Sequence, residues 1–96
     1  MKREEILGVL AAFRERRRDE YGIARIGIFG SAARDDMHGS SDVDVVVFLD
    51  QPDLFTIIGI KQELEELLRV PVDVIRFRDR MNLLLKKRIE REAVYV

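Results

Sequence analysis

The chain has no cysteine and no tryptophan, only two prolines and a single histidine in 96 residues. Without cysteine there are no disulfides and no thiolate metal sites. No uninterrupted apolar run approaches the length of a membrane span. The Met1–Glu5 segment is charged and lacks the apolar stretch of a signal peptide, so the expected compartment is the cytoplasm. Charge of one sign is also missing. Seventeen Lys and Arg stand against 18 Asp and Glu, a formal net charge of −1. A protein that coats nucleic acid usually carries a strong basic excess, so a nucleic-acid partner is disfavoured.

What is present suits one small globular domain over residues 1–96. Apolar residues make up 47% of the chain and charged ones 36%, enough for a modest core under a densely charged surface. Ile6, Leu7, Leu10 and Phe13 recur at helical spacing and predict a helix over 2–20, stopped by Tyr21-Gly22. Ile23–Phe29 reads as a buried strand, and Gly27 inside it signals a neighbour in close approach. A short helix is expected from Ser31 to about Asp36, then a polar loop over 37–41. Asp42–Leu49 is the clearest strand, its β-branched run nearly continuous as in a strand covered on both faces. Asp53 is an N-cap signal for a helix over 54–69, and Pro71 forces the chain to extend into a strand over 72–77. A helix over 81–93, with Asp79 as its cap, completes an α-β-α-β-α-β-α order, to which the apolar 93–96 segment could add a short edge strand.

The chemistry lies in Gly30-Ser31, ten residues, then Asp42-Val43-Asp44. Strand side chains alternate, so Asp42 and Asp44 point the same way with Cβ atoms about 7 Å apart. Asp73 stands near the start of the third strand. Gly30-Ser31, Asp42, Asp44 and Asp73 meet at one rim only if the first strand is antiparallel to the second and the second parallel to the third. The stretch from Pro52 to Val70 is long enough for the helical crossover that the parallel pair needs. Three carboxylates at one rim repel unless a cation joins them. An all-oxygen set with open positions suits Mg²⁺ or Mn²⁺, completed by water and substrate phosphates. Glycine lets a phosphate approach the backbone, and the start of a helix at Ser31 favours an anion. These residues read as a nucleotide and divalent-metal site for phosphoryl transfer.

Gly30-Ser31-Ala32-Ala33-Arg34 followed by Ser41-Asp42-Val43-Asp44-Val45 resembles the signature of the polymerase-β-like nucleotidyltransferase superfamily, and most of all its minimal nucleotidyltransferase (MNT) branch. The likeness extends from Ile23 to Val96 and includes Val72-Asp73-Val74-Ile75. The resemblance implies a single-domain α/β fold with a mixed sheet of three main strands flanked by helices. It assigns Gly30, Ser31 and Arg34 to ATP phosphates. It assigns Asp42, Asp44 and Asp73 to catalysis and to Mg²⁺, with two ions expected, and places Asp73 nearest the acceptor hydroxyl. One departure stands out: relatives often carry glycine after the arginine, and here Asp35 adds negative charge near the phosphate path. Minimal members resemble antitoxins of HEPN/MNT toxin–antitoxin systems, which implies AMP transfer from ATP to a hydroxyl, a tyrosine, of a HEPN toxin. Two alternatives stay open: a silent binding module that neutralises its partner by occlusion, and a nucleotidyltransferase with a small-molecule or nucleic-acid acceptor. The catalytic fold uses nearly all of the 96 residues, which favours an acceptor presented by another protein.

Other features read two ways. His38 is an exposed bystander or a contact to nucleotide or acceptor. Ser40 and Ser41 are turn residues. Arg14, Arg16, Arg17 and Arg18 form a solvated helix end or a patch for an acidic partner. Arg76 and Arg78 lie on one face, near incoming phosphates or a partner. Leu54, Phe55, Ile57, Ile58 and Ile60 give their helix more apolar surface than one core-facing stripe needs, as Leu83-Leu84-Leu85 does in the last helix. Both surfaces suit burial within the monomer, a partner, or a homo-oligomer.

Overall fold

A computed structural model describes residues 1–37 and 42–96. The polar loop containing His38, Ser40 and Ser41 lies outside the described residues. Helix α1 (Arg3–Tyr21) leads into β1 (Ile23–Phe29), the short α2 (Ser31–Arg34), β2 (Val43–Leu49), α3 (Leu54–Leu68), β3 (Val72–Arg76), α4 (Leu83–Glu92) and β4 (Val94–Tyr95). Gly22, at φ 65°, ends α1 in the left-handed conformation that glycine adopts at little cost. Asp53 caps α3 by accepting from the Phe55 N–H at 2.8 Å. The cap of α4 is Asn82, whose Oδ1 accepts from the Leu85 N–H at 3.0 Å. Asp79 does not cap this helix, because α4 begins at Leu83, two residues later than its apolar pattern suggests.

The strands form one mixed sheet in the order β3-β2-β1-β4. β1 is antiparallel to β2, and β2 is parallel to β3. The three expected strands are therefore joined by β4, which pairs antiparallel with β1 through Gly27↔Tyr95 and Ile28↔Val94. Gly27 is what admits it. A Cβ at that position would lie 2.5 Å from the Val94 carbonyl oxygen and 2.7 Å from the Tyr95 ring.

Period-2 alternation divides the core. Val43, Val45 and Val47 face α1 and α3, where they are buried with Ile6, Leu10, Phe13, Ile60 and Leu64. Val46 and Phe29 face the other way and pack under Ile89 of α4. The sheet is thus sandwiched, and Asp44 lies on the α4 face because it is two residues from Val46. Arg17 fastens α1 to α3 by donating from Nε to both Glu63 oxygens at 3.0 Å. Among the described residues, no helix is long and apolar enough to cross a membrane.

Candidate active site

Pairing register gathers the chemical residues. Phe29 of β1 is opposite Asp44 of β2, and Asp44 is opposite Asp73 of β3, so the three form one row across the sheet. Neighbouring strands run about 4.8 Å apart, so the Asp44 and Asp73 carboxylates start from adjacent Cα positions on the same face. Gly30 follows Phe29 and stands directly over Asp44: a Cβ on Gly30 would strike the Asp44 carboxylate and lie 2.8 Å from an Arg88 Nη2 atom. Asp42 is exposed just before β2, and Ser31 is half-buried as the first residue of α2.

Asp44 sits in the tightest surroundings. Burial pushes its pKa up; Arg88 pulls it back; Asp73 and Asp42 push it further up, and Arg34 lowers it. The outcome is a carboxyl above the ordinary aspartate value, because desolvation and two neighbouring negative charges outweigh the cations. Arg88 Nη2 is 3.8 Å from Asp44 Oδ2.

Two residues of the site are absent from the sequence motifs, Arg88 and Glu92 on α4. Glu92 Oε1 accepts from the Gly30 N–H at 3.1 Å, from Arg34 Nη1 at 3.2 Å and from Arg88 Nε at 3.4 Å. Burial acts to raise the Glu92 pKa, but these donors more than offset it and hold the carboxyl below the usual range. The glycine turn and its two arginines therefore already grip one anion, a carboxylate of the chain itself. The spacing of Arg88 and Glu92, four residues apart on a helix, puts them on one face. That was the available signal, but nothing in sequence says that this face meets the Gly30 turn.

Asp35 is placed by a different need. At φ 60° it closes α2 in the left-handed conformation, and its Oδ1 accepts from the Arg3 N–H at 2.8 Å. Its charge is thus turned to the start of α1, where a helix favours an anion, and not along the phosphate path expected for it. Arg76 and Arg78 also depart from one of their two expected places. Strand alternation puts Arg76 on the face opposite Asp73, and both arginines line a cleft at the outer edge of β3.

Among the described residues, no group of three His, Asp or Glu side chains is gathered as a ready-made metal cage. Asp44 leans toward Gly30 and Arg88, while Asp73 is exposed. The donor set still fits a hard cation. It is all oxygen and its members share one rim, where Asp42 and Asp73 add to the burial that raises the Asp44 pKa.

Comparison with known proteins agrees with this geometry. The nucleotidyltransferase domain family matches residues 10–96. The chain is 36% identical over 94 residues to the protein adenylyltransferase MntA of Thermococcus cleftensis, covering 97% of this chain and 94% of that one. A solved structure described as a candidate minimal nucleotidyltransferase superposes with a TM-score of 0.75 at 32% identity, covering 98% of this chain and 95% of that one. The fold also matches that of a structure of a tri-AMPylated HEPN toxin in complex with MNT antitoxin from Shewanella oneidensis. There the TM-score is 0.59 at 18% identity, covering 88% of this chain and 69% of that one. With register, turn and sequence in agreement, the chain belongs to the nucleotidyltransferase domain family and is a nucleotidyltransferase similar to the MntA protein adenylyltransferases.

Proposed function

We propose that this nucleotidyltransferase moves AMP from ATP to a hydroxyl, a tyrosine, of a HEPN-type toxin and so acts as its antitoxin. The observation that carries the reading is the row Phe29–Asp44–Asp73 with Gly30 standing over Asp44. This geometry supports the reading of the Gly30 turn as a phosphate site beside the paired carboxylates. Gly30, Ser31 and Arg34 hold the terminal phosphates, and Arg88, in contact with Asp44, supplies further positive charge to the same anion. Glu92 marks the position: the donors it now uses are those a phosphate oxygen would take over. Asp42, Asp44 and Asp73 would hold Mg²⁺, which when bound polarises the phosphoryl oxygens and favours departure of pyrophosphate.

In the transfer, the acceptor oxygen bonds to the α-phosphorus as the bond to the bridging oxygen of the pyrophosphate breaks. Asp73 would receive the hydroxyl proton, a role that its exposure at the rim supports. The toxin as acceptor is supported by the adenylyltransferase relative and by the AMPylated toxin found with a chain of this fold.

The test is incubation with α-labelled ATP, Mg²⁺ and a HEPN-type partner. Label should appear on the partner and be lost with Asp42→Asn/Asp44→Asn, which should also fail to neutralise the toxin. Neutralisation that survives the double substitution would establish occlusion instead.

A further inference from the structure

β3 is an outer strand of the sheet, so one side of its backbone has no strand partner. The Val43 N–H donates to the Pro71 carbonyl at 3.0 Å and the Phe77 N–H to the Val47 carbonyl at 2.8 Å. By alternation, 71, 73, 75 and 77 turn their backbone groups to β2, and 72, 74 and 76 turn theirs outward. Val72 is already satisfied there: its N–H donates to Glu65 Oε2 at 2.9 Å, and its carbonyl accepts from Lys61 Nζ at 2.6 Å. Val74 and Arg76 instead open onto a cleft of 540 Å³ between the first turns of α3 and α4. Leu54 and Ile57 form one wall, Met81 and Leu85 the other. Leu54 is 71% exposed, and beside it Phe55 is 83% exposed; Leu84 is 79% exposed next to the α4 wall. Among the described residues, Arg76 and Arg78 have no carboxylate within salt-bridge distance, and the one acidic residue in the lining, Asp53, is engaged as a helix cap.

We propose that this cleft is a strand-addition site for an extended, acidic and apolar segment of the acceptor protein. The segment would hydrogen-bond to Val74 and Arg76, fill the apolar walls with alternate side chains, and meet Arg76 and Arg78 with carboxylates. The inference rests on the reading that the acceptor is a protein. It adds how that acceptor is aligned. The Lys61–Glu65 pair covers the edge at Val72, so the added strand stops there, one residue beyond the level of Asp73. At about 3.3 Å per residue, a hydroxyl within two or three residues of the strand's end reaches the carboxylate rim. A second copy of this chain fits less well: a twofold pairing of β3 edges would add two further arginines to the same edge, while the one carboxylate of the lining, Asp53, is engaged as a helix cap.

Hydrogen–deuterium exchange on the full chain, with and without the HEPN-type partner, tests the site, alongside Leu54→Ser and Arg76→Glu. The expected result is slowed exchange at Val74 and Arg76 in the complex. Each variant should raise the KM for the partner at least tenfold while kcat and binding of a nonhydrolysable ATP analogue stay unchanged. AMP transfer at wild-type KM in both variants, or a complex whose β3 amides exchange as fast as in the free chain, would overturn the inference and leave the transferase reading intact. Protected amides and weakened binding without AMP transfer would uphold the docking site and sink the reaction. A chain that forms no complex overturns both. A dimer that Arg76→Glu dissolves, or binding of single-stranded RNA abolished by it, would assign the cleft to a second copy or to nucleic acid and overturn the proposal.

Discussion

At Gly30 the backbone lies at φ 70° and ψ −148°, a combination that residues with a Cβ scarcely visit. The Asp44 carboxylate and the Arg88 guanidinium occupy the volume where that Cβ would be. Both facts point to the same substitution. Gly30→Ala should cost about 1–3 kcal/mol of stability from the backbone alone. It should also push Asp44 out of line with Asp73, so loss of AMP transfer should exceed what the stability change explains. Urea unfolding paired with a transfer assay at a temperature where the variant remains folded will show whether it does. Arg88 acts from a longer side chain and leaves the backbone undisturbed. Arg88→Ala should therefore weaken binding of an ATP analogue, measured by calorimetry, by at least about tenfold, as expected for loss of one charge-assisted contact to phosphate.

Among the elements, β3 is tied to a neighbouring helix by side-chain bonds to its outer edge. Glu65 of α3 accepts from Lys61 and from the Val72 N–H, and these bonds hold its pKa below the ordinary glutamate value of 4.5. A carboxyl whose folded pKa is depressed adds stability above its unfolded pKa and loses it as pH falls through the folded value. Wild type should therefore unfold at higher urea than Glu65→Gln at pH 7, and the gap should close as pH falls below 4.5 and through the depressed folded pKa. A gap independent of pH would show that the carboxylate charge is not what secures the edge. The strands and helices were largely legible from local signals of this kind. The nearly continuous β-forming run of Val43–Leu49, the Asp53 cap and Pro71 each act within a few residues. The α4 boundary was less so, because Asp79 and Asn82 are both competent caps and only packing selects between them. Arg88 and Glu92 were not legible as site residues at all. Their place over Gly30 depends on how α4 crosses the sheet, which no local pattern encodes. The turning of Asp35 toward α1 is hidden for the same reason: its partner Arg3 is 32 residues away.

For the molecule as a whole, one sheet face supports the fold and the other carries the chemistry. The α1/α3 face holds most of the fully buried residues, Phe13 among them with no exposure. Phe13→Ala should cost about 3–5 kcal/mol, much of the stability of a small domain, and be seen as a fall in the unfolding midpoint. The α4 face is more thinly covered, with Phe29, Val46 and Ile89 as its buried residues, and there the sheet presents Asp44 and Asp73 at one rim. Convergence of these carboxylates with Asp42 on a divalent cation is the central claim. Calorimetric titration of Mn²⁺ into the protein saturated with a nonhydrolysable ATP analogue tests it most directly. Wild type should bind the ion, and Asp44→Asn and Asp73→Asn should each weaken it by at least about tenfold. Equal Mn²⁺ affinity in wild type and both variants would contradict it.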